Sequence, residues 1–339
     1  MNFYGVVILR SKHVMEKNDK ILVAGAKGLL GSAAVRRLRE LGFVNILEPS
    51  HSELDYTDKA AVDRYFAENK PDYVFMIAAK VGGIQANRTA LDQFLYLNTM
   101  MEFNTIMAAY ENGVKKFCFV GSGCIYPRES PQPIREDYLL TGPLEQTNEG
   151  YAIAKIAGLK LCEYLNTHHP ERADFISVMP CNLYGPGDSY DPEHSHVIPA
   201  LIRKFHEAKE TGKDTVEMWG TGTAMREFMY IDDLADAIVF LMQNYSGDRG
   251  EPEGTPGMSW VNIGYGEDIV MSEVGKIVAE TVGFTGNIVF DHIHPDGTPK
   301  KLLDSSKLFS LGWKPSVSFR EGIRRTYEDY KINKDNYRK

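Results

Sequence analysis

The chain has 339 residues, 43% of them hydrophobic and 25% charged, with a formal net charge of −8. That is ample apolar material for one large or two fused globular domains. Acids and bases are interspersed, so no basic face offers itself to nucleic acid or to an anionic membrane.

The cysteines at 118, 124, 162 and 181 form no CxxC pair. A disulfide framework and a metal site are therefore not expected, and a reducing, cytoplasmic compartment is. The first apolar run, Phe3 to Leu9, has no basic segment before it and no small-residue cleavage site after it. It is also shorter than the roughly 20 residues that span a bilayer. Residues 1–19 are set apart as an extension, and removal of residues 1–18 is expected to leave activity unchanged.

From "KILVAGAKGLLGSAAVRRLRELGF" onward an apolar strand, a glycine-rich turn and an amphipathic helix follow one another. "DYVFMIAA", "KKFCFVGS" and "ADFISVMP" are continuous apolar runs of the kind that form parallel strands covered on both faces. Between them "DKAAVDRYFAENK", "FLYLNTMMEFNTIMAAYENG" and "GYAIAKIAGLKLCEYLNTHH" carry apolar residues at helical spacing. This alternation predicts an α/β fold with a doubly wound parallel sheet, a Rossmann architecture. After "NLYGPGD" the texture changes to a loop with proline and histidine, a helix around Pro199 to Lys209, and shorter mixed segments. The division expected is a dinucleotide-binding domain over 20–185 and a smaller mixed α/β substrate-binding region over 186–339. "FMYIDDLADAIVFLMQ" and "WVNIGYG" suggest that the two interleave.

Gly25, Gly28 and Gly31 follow the first strand and open a helix, with Ala26, Lys27, Leu29 and Leu30 completing the turn. Such a turn closes tightly, admits a pyrophosphate and presents a helix N-terminus to it. The end of the second strand selects the dinucleotide. Glu48 there favours NAD, whereas Lys27 and His51 are candidates for the 2′-phosphate of NADP, and Pro49 stands at the selecting position.

"GYAIAKIAG" places Tyr151 and Lys155 four apart on one helix face. After a nucleotide-binding half-sheet and a strand ending in Ser122, this order suits hydride transfer. Lysine favours a phenolate and binds nicotinamide ribose, tyrosine protonates a carbonyl oxygen, and serine fixes that oxygen.

On these motifs the chain resembles the extended short-chain dehydrogenase/reductase family. The segments "GAKGLLGSA", "AAKVGGI", "GSGCIYP", "EGYAIAKIAGLKLCE", "VMPCNLYGP", "SHVIPALIRKFHEA", "WGTGTAMREF" and "HPDGTPKKLLD" narrow the resemblance to members that convert GDP-4-keto-6-deoxy-D-mannose to GDP-L-fucose. Those enzymes epimerise C3 and C5, then reduce the C4 ketone with NADPH. The resemblance implies Ser122, Tyr151 and Lys155 in reduction, with Cys124 and His196 as the acid/base pair of epimerisation. NADP(H) contacts are implied from Gly25 to Gly31, Gly121 to Gly123, Pro180, Cys181, Asn182, Leu183 and His196. Lys204, Trp219, Arg226 and Lys301 match positions that hold the GDP-sugar, and a homodimer is implied as well.

The chain departs from the family pattern at Lys27, Pro49, Gly123 and Cys181. His194 in "EHSHV" is an alternative to His196. A 4,6-dehydratase would want a carboxylate beside the serine, and a simple 4-epimerase has an inert residue where Cys124 stands. A thiol there can instead exchange protons α to a ketone. Another GDP-4-keto sugar and a non-catalytic NADP(H)-binding regulator stay open as alternative readings.

Overall fold

The computed structural model describes residues 13–191, 195–247, 250, 257–291, 293 and 298–334. The first half runs β1 (Ile21–Ala24), α1 (Leu29–Glu40), β2 (Ile46–Leu47), α2 (Lys59–Asn69), β3 (Tyr73–Met76), α3 (Ile84–Thr89), α4 (Leu91–Glu111), β4 (Lys116–Val120), α5 (Glu149–His168) and β5 (Phe175–Pro180). β1, β3, β4 and β5 are buried along their whole length, which is why each reads as an unbroken apolar run rather than an alternating one. α2 begins where Asp58 caps it, the carboxylate accepting the N–H groups of Ala60 and Ala61 at 2.9 and 3.2 Å. The short helix α3 falls in a stretch to which the sequence reading assigned no element.

The second half runs β6 (Asn182–Tyr184), α6 (Val197–Glu210), β7 (Thr215–Trp219), β8 (Met225–Arg226), β9 (Phe228–Tyr230), α7 (Ile231–Asn244), β10 (Trp260–Ile263), β11 (Ile269–Val270), α8 (Met271–Val282), β12 (Asn287–Asp291), β13 (Lys300–Lys301), α9 (Ser306–Ser310) and α10 (Phe319–Asn333). Its fifth strand returns to the first half. β10 pairs with β5, from Trp260 opposite Ser177 to Ile263 opposite Pro180, and completes a six-stranded sheet in the order β10-β5-β4-β3-β1-β2. Every neighbouring pair in that sheet is parallel.

One apolar core lies between the sheet and helices α1 and α7, the other between the sheet and helices α2, α4 and α5. A third core gathers α6, α8, α10 and the strands β7 and β9. The direction of winding reverses between β1 and β3, and such a reversal opens a crevice at the carboxyl ends of the strands. Small two- and three-stranded sheets of the second half close over that edge. In one of them β13 pairs with β8, so Lys301 lies beside Arg226. Among the described residues no helix is long and apolar enough to cross a membrane.

The N-terminal extension needs correction over its last part, the residues 1–12 lying outside the described ones. Met15 is 4% exposed and packs into the core that α1 helps to form. The Tyr73 hydroxyl donates to the Val14 carbonyl at 3.3 Å, Lys17 bonds the Leu41 carbonyl, and Asp19 pairs with Lys115 at 2.9 Å. Two adjacent apolar residues, Val14 and Met15, among polar ones show no periodicity, so no local pattern announces this docking.

Loss of residues 1–18 is therefore expected to lower stability. Met15→Ala alone is expected to cost about 2 kcal/mol or more, read as a lower denaturant midpoint with the slope and turnover unchanged.

Candidate active site

The glycine turn after β1 is shaped by two close approaches. Gly25 has φ +86° and lies so near the chain leaving β3 that a Cβ on it would come 2.8 Å from the Ala78 Cα. A Cβ on Gly31 would fall 2.0 Å from the Gly25 carbonyl oxygen, so α1 can start this close to the strand only with glycine there. No side chain caps Gly28, and the N-terminus of α1 is left open. Ala26 and Leu30 turn their side chains into the core, so they offer a ligand only their backbone.

At the end of β2 the Glu48 carboxylate is bonded by Arg39 and lies 3.9 Å from the Lys27 ammonium. Glu48 is thus engaged by two cations rather than free for a ribose, which removes the argument for NAD. Pro49 is buried and His51 exposed, the latter close enough to Asp55 to lower its pKa after the larger effect of hydrogen bonds from Thr57. Arg39, the next-to-last residue of α1, was missed because an arginine on an exposed helix face carries no signal of its own.

The reacting groups converge at the carboxyl end of β4. Ser122 begins a short 3-10 turn, Gly123–Ile125, and its hydroxyl accepts the Cys124 N–H at 3.2 Å. Gly121 lies against Met179, where a Cβ would approach the sulfur to 2.5 Å, so β4 and β5 meet tightly before the turn. Opposite the turn, Tyr151 and Lys155 rise from the first turns of α5. The Lys155 ammonium donates to the Val120 carbonyl at 2.9 Å and lies 5.7 Å from the Tyr151 ring centroid. The Tyr151 ring meets Phe94 edge-on, with centroids 6.5 Å apart.

Two titratable groups here are driven in opposite directions. Burial holds the Tyr151 hydroxyl far above its ordinary pKa, reinforced by the charges of Cys124 and Glu102 and partly relieved by a hydrogen bond with Ser122. Burial also pushes the Cys124 thiol up, but the Lys301 charge and hydrogen bonds with Ser122, Lys301 and Asn148 outweigh it, and its pKa is lowered. The Lys301 ammonium donates to the Cys124 sulfur at 3.7 Å. Lys301 thus serves the thiol directly, a contact that the sequence reading did not assign to it. Asn148, the residue before α5, was also missed.

A cavity of about 30 Å³ lies under these groups, lined by Ser122, Cys124, Cys181, Asn182, Glu227 and Lys301 among others. Glu227 is fully buried and accepts the N–H groups of Gly266 and Leu303 at 2.8 and 3.0 Å. Burial raises its pKa to about 7, against the lowering by those backbone bonds. It ties the chain after β10 to the chain after β13, and so fixes the strand that carries Lys301. Pro180 and Leu183 pack inward, and the Asn182 amide donates to the Glu227 carbonyl at 2.8 Å.

The other sequence candidates form two groups. Arg226 is brought beside Lys301. Lys204 donates to the Glu217 carbonyl at 2.9 Å, and its ammonium lies 5.8 Å from the ring of Trp219, which is 66% exposed. His196 stands separately as the residue before α6, exposed on the surface, with its pKa lowered by desolvation. His194 lies outside the described residues. No group of three or more His, Cys, Asp or Glu among the described residues could hold a metal ion.

A profile of the NAD dependent epimerase/dehydratase family matches residues 21–262. GDP-L-fucose synthase 1 of Arabidopsis thaliana is 52% identical over 318 residues, covering 94% of this chain and 95% of its own. The GDP-L-fucose synthase of Escherichia coli strain K12 is 45% identical over 320 residues, 94% of this chain and 99% of its own. Among solved structures, an NADP-bound GDP-L-fucose synthetase from Naegleria fowleri superposes with a TM-score of 0.87 at 27% identity, over 98% of this chain and 100% of its own.

The Lys301–Cys124 contact gives a test that needs no substrate. In the parent, iodoacetamide should alkylate Cys124 at lower pH than an ordinary thiol, and Lys301→Met should move the midpoint to higher pH and slow the reaction at pH 7 several-fold. Cys124→Ser identifies the labelled residue, since burial raises the other three thiols.

Proposed function

The chain belongs to the NAD dependent epimerase/dehydratase family, and from that premise we infer that it converts GDP-4-keto-6-deoxy-D-mannose to GDP-L-fucose. The observation that carries this reading is a thiol of lowered pKa in the same cluster as a serine, a tyrosine and a lysine. A simple ketone reductase needs the last three. The thiol adds the means to exchange protons beside the ketone.

Cys124 as thiolate removes the proton from C3 or C5, and the electron pair of the broken C–H bond is delocalised onto the C4 oxygen. Ser122 and Tyr151 hydrogen-bond that oxygen. His196, on the other side of the sugar, returns a proton to the opposite face and inverts the centre. NADP(H) is the cofactor, and when bound it supplies the hydride for C4. Tyr151 then gives its proton to the C4 oxygen, while Lys155 holds the nicotinamide ribose.

The residues present fit that cofactor. The turn at Gly25 to Gly31 keeps side chains out of the path of a pyrophosphate, and α1 presents an uncapped N-terminus to it. Lys27 and Arg39 place two positive charges on one carboxylate, which leaves net charge for a 2′-phosphate, with His51 nearby. Arg226, Lys301 and Lys204 offer cations to the GDP pyrophosphate and Trp219 a flat face to the nucleotide.

We place the enzyme in the cytoplasm as a homodimer. Four unpaired cysteines support a reducing compartment. An exposed apolar stripe of Leu95, Tyr96 and Phe103 on α4 with Ile153 and Tyr164 on α5 supports contact with a second copy.

Incubation with GDP-4-keto-6-deoxy-mannose and NADPH, followed by NMR of the sugar, tests the reading. GDP-fucose is the expected product, and a sugar that keeps its C3 and C5 configuration would refute it. In D₂O, Cys124→Ser should bind both ligands yet lose deuterium incorporation at C3 and C5, whereas a merely structural cysteine would leave incorporation intact. Tyr151→Phe should retain cofactor binding and lose ~10²–10⁴-fold in reduction. Lys27→Ala should weaken NADPH while sparing NADH, and equal loss of both would remove Lys27 from phosphate recognition.

A further inference from the structure

Glu102 lies midway along α4 with no exposed surface, and one of its oxygens is 3.0 Å from the Lys155 ammonium. Neither carboxylate oxygen accepts any hydrogen bond besides that ion pair. A carboxylate so deep is costly unless a cation faces it, and Lys155 is the cation that does so. The surroundings leave room for this pair. A Cβ on Gly158 would come 2.8 Å from the second Glu102 oxygen, and the Phe119 ring lies beneath the ammonium at 4.9 Å.

We propose that Glu102 is a positioning residue of the reduction: its carboxylate holds the Lys155 ammonium and offsets its charge, so that the Tyr151 hydroxyl keeps its proton for the ketone oxygen. The proposal rests on reading Tyr151 as the proton donor. An ammonium alone beside a phenol favours the phenolate, which suits a site that removes a proton from an alcohol. A site that reduces a ketone needs the phenol instead, and a buried negative charge behind the ammonium supplies that bias. The titratable groups around Glu102 are Lys155, Tyr151 and Cys162 on α5; those around Tyr151 also include Cys124, with Ser122 as a hydrogen-bond partner. Burial pushes the Glu102 carboxyl up and Lys155 pulls it only part of the way back, so it stays above its ordinary value and its charge depends on the ammonium beside it.

The test is the ionisation of Tyr151, read in the ligand-free protein as the near-ultraviolet phenolate signal of the parent minus that of Tyr151→Phe. In the parent this signal should be absent through neutral pH, and a phenolate already present there would overturn the proposal without any Glu102 variant. In Glu102→Gln, which keeps the shape and removes the charge, the signal should appear at lower pH than in the parent. The alkaline fall of kcat for ketone reduction should move down with it, while the KM for the GDP-sugar and the Kd for NADPH change less than about twofold. Glu102→Asp restores the charge and should restore most of the parent profile. Reduced thermal stability with an unmoved tyrosine signal and an unmoved pH profile would make the carboxylate structural only. Undiminished turnover by Tyr151→Phe would instead sink the donor reading itself, so the two failures are distinct.

Discussion

Lys155 carries a positive charge with 2% of its side chain exposed, and the architecture around it is arranged to make that burial tolerable. An unpaired ammonium at this depth would cost several kcal/mol. The Val120 carbonyl at the end of β4, the Glu102 carboxylate on α4 and the rings of Phe119 and Tyr151 share the task. They come from three elements, β4, α4 and α5, so their agreement ties α4 and α5 to the same end of the same strand. Ser122 follows Val120 by two residues, and the position of the reacting serine therefore comes from the requirement that seats the lysine.

The second half of the chain completes the site by the same economy. Glu227 accepts N–H groups from two distant segments, and one of these continues from β13. That strand presents Lys301 to Cys124, while its pairing with β8 sets Arg226 alongside. By holding these segments together, the carboxylate helps to decide where both cations stand. A Cβ at Gly264 would come 2.2 Å from a Glu227 oxygen, which shows how closely the backbone wraps this group.

The large sheet was legible because its strands are buried on both faces, and burial of that kind writes itself as runs such as "KFCFV" and "FISVMP". The three-stranded sheet was not, since β8, β11 and β13 have two residues each and no periodicity can show in two residues. Ser122, Tyr151 and Lys155 could be named from motifs, because strand end and helix spacing place them. The partner of Cys124 could not, because Lys301 lies 177 residues further on. Glu102 was hidden for a related reason. In "MMEFN" a glutamate reads as a polar residue on a helix face, and only the folded position of Lys155 turns that face inward. The docking of Met15 was hidden as well, since its place in the core beside α1 depends on residues far along the chain.

The site drives the pKa values of its two acids in opposite directions with one set of charges. Lys301 stabilises the Cys124 thiolate, and the charge of that thiolate in turn raises the Tyr151 pKa. Two groups driven apart in this way are the signature of an acid and a base with separate duties. Their coupling also orders the steps. In the mechanism proposed above, an ionised Cys124 holds Tyr151 most firmly as a phenol while protons beside the ketone exchange, so that its proton is kept until the carbon centres have been inverted. Once the ketone oxygen takes that proton, the new phenolate sits near Lys155, whose charge can shift from Glu102 to the tyrosine within the same pocket. The buried ion pair thus serves first as the anchor of α5 and then as the counter-charge for the product of the last proton transfer.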